Sequence, residues 1–324
     1  MIRIDRRGLL VAGGALAAGA ARAQAWQPDG PVRIVVPAPP GAFNDGLARL
    51  LADKLSPALG QAVVVDNKPG AGGMLGTREV AQAKPDGRTI GIANTATMAI
   101  NPHLFPNAGL DPLKDLTPIA GCASIMIVLV ASPASGIRSV AELIAKAKAE
   151  PGKIDYASAG IGGSTHLATE LLKLRAGIDM THVPYRGAAP VATALLAGDI
   201  PVGFEGVPLL LPHIQTGKLV PLAVSGTTRH PLLPDVPTMQ EAGVADYEMT
   251  IWFGVIGPAG LPAPVSQRLS AEILKVMEMP DTKERVVRQG AEVDIRDAAA
   301  FAAFMRAENA KFGEVVRRAS IKVE

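Results

Sequence analysis

Residues 35–48 read V-V-P-A-P-P-G-A-F-N-D-G-L-A. A short apolar run, Ile34 to Val36, enters a Pro/Gly turn, which opens at once onto leucines at 47, 50, 51, 55 and 59. That spacing is the stripe of an amphipathic helix, expected over 45–59 and closed by Gly60 just past its end. A strand, a glycine-bearing loop and a helix start with Asn44 or Asp45 as cap make a place where an anion can sit. Unpaired N–H groups point out of the first turn, and the helix dipole favours negative charge there. Taken alone, the same residues also read as an ordinary βα turn, and the rest of the chain has to decide.

Outward from this stretch the pattern repeats. Strand 62–66 leads into N-K-P-G-A-G-G-M-L-G (67–76) and a helix to about Ala83, and P-D-G at 85–87 introduces strand 88–93. The first two strands are nearly continuous apolar runs, as expected for parallel strands buried on both faces. This is βαβ architecture. The glycines at 70, 72, 73 and 76 miss the dinucleotide fingerprint, because position 75, where a third glycine is required, is Leu. No cofactor is expected; the cluster reads as a loop allowing close backbone approach.

Residues 94–98 (N-T-A-T-M) place amide and hydroxyl groups at the carboxyl end of a strand, where open α/β sheets hold ligands. Residues 101–118 read as a surface excursion, and 119–131 as two strand-like runs in succession. There the chain is expected to leave one lobe for another. The second lobe follows the same plan: helix 139–149, strand 154–158, A-G-I-G-G-S-T-H-L (159–167), and a helix with Ser164 or Thr165 at its start. A helix to Ala197, strand 200–205, helix 207–216 and strand 219–224 complete it. Residues 248–258 read as the return crossing, and the remainder as helices 264–278, 281–289 and 297–319. In the last, Phe301, Phe304, Met305 and Phe312 share a face with Glu308, which is expected at an edge of the contact or paired. The expected division is 26–125 with 250–324 in one lobe and 126–249 in the other, and two glycine-rich helix starts could then face each other across a hinged cleft.

The first 25 residues read as an export signal. Arg3, Arg6 and Arg7 precede an apolar run from 8 to 21, and A-Q-A at 23–25 is a small-x-small cleavage site. Arg6-Arg7 suggests twin-arginine export, with an ordinary Sec signal as the alternative. Cleavage near Ala25 would leave 299 residues starting at Trp26 in the periplasm. Residues 1–25 hold four Arg and one Asp, so the formal net charge falls from +2 to −1 without them. Nothing in that balance suggests nucleic-acid binding. The single cysteine, Cys122, sits in an apolar stretch and reads as core filling.

Seven blocks in order resemble the extracytoplasmic solute receptors of the tripartite tricarboxylate transporter system, the Bug family. They are 35–45, N-K-P-G-A-G-G (67–73), A-I-N-P-H-L (99–104), A-S-A-G-I-G-G-S-T-H-L (157–167), H-V-P-Y-R-G (182–187), L-P-D-V-P-T (233–238) and W-F-G (252–254). The resemblance implies a type II-like periplasmic-binding-protein fold, α/β in class, with two lobes, each a mainly parallel sheet flanked by helices. It implies a small carboxylate ligand and membrane transporter subunits as partners. By position, Gly41, Ala42, Phe43, Asn44 and Asp45 would hold one carboxylate. Ser158, Gly160, Gly162, Ser164 and Thr165 would take a second polar end. Asn94, Thr95, Thr97, Tyr185, Gly187 and Glu205 would line the cleft. Ala42 and Asn44 depart from the family's usual Gly and Thr, and Glu205 from its usual Asp.

Two further readings stay open. His166 beside Ser164 could suggest an exported hydrolase, although sequence neighbours do not make a triad. The binding protein could equally serve a sensor kinase. The five histidines have no spacing suited to a metal. Glu205 could bind a ligand amine or cap the helix that follows it.

Overall fold

A computed structural model describes residues 26–105 and 109–321. The export-signal reading falls on residues 1–25 and lies outside them, as do 106–108 of the expected excursion. The first unit is β1 (Val32–Val36), α1 (Phe43–Leu59), β2 (Val63–Asn67), α2 (Met74–Ala81) and β3 (Thr89–Asn94). All five leucines of the α1 stripe are buried. Each fully buried leucine contributes about 1.5–3 kcal/mol, which is why this helix forms where its periodicity says. Gly60 ends it in the left-handed region at φ 66°. β1 pairs in parallel with β2 on one side and β3 on the other. β2 is the outer strand, and Val64 is half exposed. Its apolar run therefore does not mean burial on both faces, because only β1 is sandwiched.

The residues from 119 to 131 form one strand rather than two. β4 (Leu116–Ala131) runs unbroken for 16 residues, about 53 Å at 3.3 Å per residue. It is bent by register shifts between 118 and 120 and between 121 and 123. Its first part pairs with the return strand β9 (Thr250–Pro258) and with β10 (Glu292–Arg296). Its last five residues pair with β7 (Val202–Gly206) and β8 (Val220–Val224). The other second-lobe strands are β5 (Asp155–Ser158) and β6 (Thr181–Pro184), parallel to each other, with β5 also parallel to β7. Each lobe thus keeps a parallel triple, and β4 and β9 add antiparallel pairs where they run between lobes.

Helices α3 (Asn101–Leu104), α4 (Val140–Ala149), α5 (Ser164–Ala176), α6 (Ala188–Ala197) and α7 (Val207–Gln215) fill the connections. The carboxyl-terminal part is α8 (Ala263–Glu278), α9 (Pro280–Arg288), β10 and α10 (Ala298–Arg318). β10 corrects the all-helical expectation for this part. Its E-V-D-I-R alternates with the period of a strand, and its charges suit an edge position. On α10, Phe301, Met305 and Phe312 are buried. Glu308 is buried with them and paired: it accepts from Trp252 Nε1 at 3.0 Å and forms an ion pair with Lys311. One apolar cluster joins Val35 and Met98 of the first lobe to Leu129, Tyr156 and Leu167 of the second through Phe301 and Met305. Among the described residues, no helix is long and apolar enough to cross a membrane.

Candidate functional site

Strand register brings the loops together. Asn94, the last residue of β3, lies opposite Phe253 of β9, which lies opposite Ala123 of β4. Gly206, the last residue of β7, lies opposite Ile127 of the same β4 strand. The carboxyl ends of the parallel strands in both lobes therefore point at one junction, four residues apart along β4, or about 13 Å. That is where α/β sheets place ligands.

In the first lobe the loop after β1 is braced from within. Asp45 Oδ2 accepts the Gly41 N–H and the Arg49 Nε–H, each at 3.0 Å. The Arg49 guanidinium, with the Gly41 amide and Asn67, holds the Asp45 carboxyl below its ordinary value despite burial. Neither Asn44 nor Asp45 caps the helix: Ala42 is the N-cap, with no side-chain bond. Ala42 N–H goes to Pro39 O, while Asp45 and Gly46 N–H both go to Ala42 O. The amides of Phe43 and Asn44 stand outside this ladder at the positive end of the dipole. Asn44 is buried, and its Nδ2 has no protein partner. Phe43 is held by the ring of Phe253, 4.5 Å away.

The hydroxyls after β3 are spent on structure. Thr97 N–H donates to Asn94 Oδ1 at 2.9 Å, and Thr97 Oγ1 bonds Asn94 as well. Thr95 Oγ1 accepts the Trp252 N–H at 2.8 Å and donates to Thr250 O at 3.3 Å. Both threonines are fully buried: Thr95 fixes the return strand against the loop and Thr97 closes the turn on Asn94, so neither offers a free hydroxyl. The glycine cluster likewise serves the protein, with Asn101 Nδ2 donating to Gly72 O.

In the second lobe, Gly163 is the N-cap of α5, and neither Ser164 nor Thr165 caps it. Thr165 Oγ1 instead accepts the Ala159 N–H at 3.1 Å, tying the loop to the helix. The first intrahelical bond is Leu167 N–H to Gly163 O, which leaves the amides of Ser164, Thr165 and His166 pointing out of the first turn. Tyr185 N–H and Gly187 N–H bond Ser158 O and Ala159 O, holding the loop after β6 beside that after β5. Glu205 is 4 % exposed and its Oε1 has no partner. Burial pushes its carboxyl up to about 7, against a bond from the Gly206 N–H.

A hydrolytic pair is not assembled. Ser164 is not bonded to His166, whose Nδ1 accepts the Gly162 N–H. Ser158 Oγ does meet His182 Nε2 at 2.6 Å, but Ser158 is fully buried and its hydroxyl also bonds the Gly160 backbone. Among the described residues, no group of three or more His, Cys, Asp or Glu side chains is placed to hold a metal. Two site residues had no clear signal in local sequence. Gln289 packs where a Cβ on Gly46 would fall, and Phe253 sits 210 positions from its partner Phe43; only the W-F-G block hinted at the latter.

Residues 47–321 match the family model described as the tripartite tricarboxylate transporter family receptor. The chain is 34 % identical to BugT of Bordetella pertussis over 298 residues, covering 92 % of this chain and 91 % of that protein. An R. palustris protein solved with adipate superposes with a TM-score of 0.74 at 32 % identity, over 91 % of this chain and 99 % of its own. MatC from Rhodopseudomonas palustris with bound malate superposes at 0.72 and 29 % identity, over 89 % and 99 %. The chain belongs to the tripartite tricarboxylate transporter receptor family, periplasmic solute-binding proteins of two α/β lobes and not enzymes.

Proposed function

We propose that this protein captures a small carboxylate between its lobes and delivers it to the membrane subunits of a tripartite tricarboxylate transporter. One carboxylate is held by the amides of Phe43 and Asn44 with the Asn44 side chain. The second polar end meets the first turn of α5, and Glu205 closes the floor. The lobes divide near Met126 and Thr250, and residues 1–25 direct export and are removed near Ala25. The observation that carries this reading is the pair of unspent helix starts converging on Ala123–Ile127, together with two buried polar atoms, Asn44 Nδ2 and Glu205 Oε1, that have no protein partner. Adipate and malate in two related structures supply the ligand class.

A thermal-denaturation panel of mono- and dicarboxylates tests it. A ligand at 100 times its Kd should add about 2.7 kcal/mol of stability. Asn44→Ala should weaken binding of that acid by about 1.5–3 kcal/mol, the worth of a hydrogen bond to a charged group. The same change should leave stability without ligand unchanged, because Nδ2 has no protein partner to lose. No stabilisation by any acid, or unchanged affinity in Asn44→Ala, would sink the assignment.

Glu205 adds a pH signature. Its folded value lies above its ordinary 4.5, so its contribution to stability is fully present below pH 4.5 and is lost as pH rises through about 7. A bound anion favours the protonated carboxyl further, so carboxylate affinity should rise as pH falls through about 7. Glu205→Gln should remove that slope in a calorimetric titration; a slope that persists would place the proton elsewhere.

A further inference from the structure

Behind the second-lobe loop lies a set of buried and half-buried side chains that ligand contact does not explain. The imidazoles of His166 on α5 and His182 on β6 stack with centroids 3.8 Å apart and planes 9° apart. Tyr156 continues the stack on His182 at 4.9 Å. Each imidazole ends on the loop. Gly162 N–H donates to His166 Nδ1 at 3.0 Å. His182 Nε2 meets Ser158 Oγ, and that oxygen accepts the Gly160 N–H at 3.3 Å.

Resting on the reading of residues 160–165 as a ligand loop, we infer that the His166–His182 stack is a positioning element that fixes which loop amides turn inward and thereby leaves the first-turn amides of α5 facing the cleft. Inside the loop, Gly163 N–H bonds Gly160 O and Ala159 N–H bonds Thr165 Oγ1, and neither bond involves Gly162. Gly162 adopts φ 73°, and because glycine has the most conformational freedom to lose on ordering, the bond to His166 helps to select that conformation. His166 Nδ1 supplies that bond only as an acceptor, which assigns the ring proton to Nε2.

The His166 bond therefore depends on a neutral ring. A proton on His166 Nδ1 would abolish the Gly162 bond and set a charge against the stacked neighbour. The groups facing the pair are Glu170 and Lys173 of α5 and Tyr156 of β5, with Asp179 after α5 and Arg318 of α10 lying beyond Lys173 and Glu170. Glu170 Oε1 lies 4.0 Å from His166 Nε2 but is already held by Tyr156 OH at 2.5 Å and by Lys173 at 2.9 Å. Lys173 also pairs with Asp179 at 3.5 Å, and Arg318 lines the surface pocket beside Glu170 and Lys173. Burial, the neighbouring ring and Lys173 push His166 down to about 3. Burial lowers His182 as well, with Glu170 opposing and Lys173 adding. Both folded values lie below the ordinary 6.5, so the positioned loop holds fully above that value. It weakens as pH falls, by up to about tenfold per pH unit for each proton taken up.

The test follows the loop directly. On the full chain, the amide resonances of Gly160, Gly162 and Ser164 are recorded by NMR from about pH 7.5 to about pH 4, with and without adipate or malate. In the natural chain these amides should shift and lose exchange protection as pH falls, and between the two ends of the range the acid's affinity should fall at least tenfold further than it does in His166→Asn. His166→Asn keeps an oxygen acceptor near the Nδ1 position but cannot be protonated there; its loop amides should stay flat across the same range, and its affinity should follow only the titration of Glu205 and of the acid itself. His182→Gln is the second variant and should flatten the response in part. Loop amides that do not move with pH in the natural chain, or that move equally in His166→Asn, would overturn the positioning role. Loop amides that titrate as expected but never respond to either acid would leave positioning standing and overturn the ligand assignment of this loop.

Discussion

Trp252→Ala is expected to lower the free energy of unfolding by about 3–5 kcal/mol, the largest effect on stability foreseen for a single side chain here. Trp252 is 1 % exposed and belongs to the core shared by both lobes. Its indole stands edge-on to Phe301 at 5.6 Å and to Phe304 at 5.4 Å. Its Nε1–H also donates to Glu308, a buried carboxylate that burial has already raised above its ordinary value. Truncation opens a cavity and takes away a hydrogen-bond donor from Glu308, leaving Lys311 as its partner. The lost hydrogen bond, worth about 1–3 kcal/mol for a buried acceptor deprived of a partner, is part of that total. Chemical denaturation of the full chain measures the sum. A second change, Glu308→Gln in the Trp252→Ala background, should recover part of the loss by removing the charge. A destabilisation below about 1 kcal/mol would show that the indole does not tie α10 to β9 as described.

An effect on binding as large as that of losing the Asn44 side chain is expected at Gly290, far in sequence from either ligand loop. Gly290 joins α9 to β10 in the first lobe and adopts φ 76°. A Cβ built there would lie 2.0 Å from Pro208 Cγ at the start of α7 in the second lobe. Gly290→Val strains its own backbone in every arrangement, because φ 76° disfavours a side chain, and adds overlap with Pro208 only in the arrangement in which the lobes touch. Overpacking of this kind costs about 1–3 kcal/mol. If it falls on the closed arrangement alone, the binding-competent population drops about 5–150-fold, and Kd for any carboxylate rises by that factor. Small-angle scattering should show a larger radius of gyration with acid present, and Pro208→Gly in the same chain should restore part of the affinity. Unchanged affinity and dimensions in Gly290→Val would mean that this contact does not bear on closure.

The βα units were legible because their signals are local. The leucine stripe from 47 to 59, the glycines at 60 and 198, and the apolar strands of both lobes are set by nearest neighbours and by the period of one element. The resemblance read from seven short blocks agrees with the family, since those blocks mark loops at strand ends. Local signals failed where an element takes its partner from far along the chain. The strand 116–131 reads as two because each half is buried by a different sheet. Residues 292–296 read as helix or loop because an edge strand exists only through the strand it pairs with, here β4. The caps were misread for a related reason: Asp45 has its own loop amide and Arg49 within reach, and Thr165 has Ala159, so neither is left to cap a helix.

For the site, the chain alone specified the chemistry and the stretches of backbone. Helix starts follow glycine-rich turns at 41–45 and 160–165, and those turns are encoded residue by residue. Tertiary structure decided which groups in those stretches remain available. Thr95 and Thr97 have their hydroxyls taken by β9 and Asn94, Gly41 gives its amide to Asp45, and what is left free is the pair of amides at 43 and 44 with Asn44 Nδ2. The histidine stack shows the division most plainly. His166 and His182 are 16 positions apart, and neither spacing nor composition joins them. The β5–β6 register sets Tyr156 opposite His182, and α5 lays His166 on the same stack. Hydrogen bonds and ring contacts are satisfied in three dimensions by whichever partner lies nearest, and a sequence states only what each residue could offer.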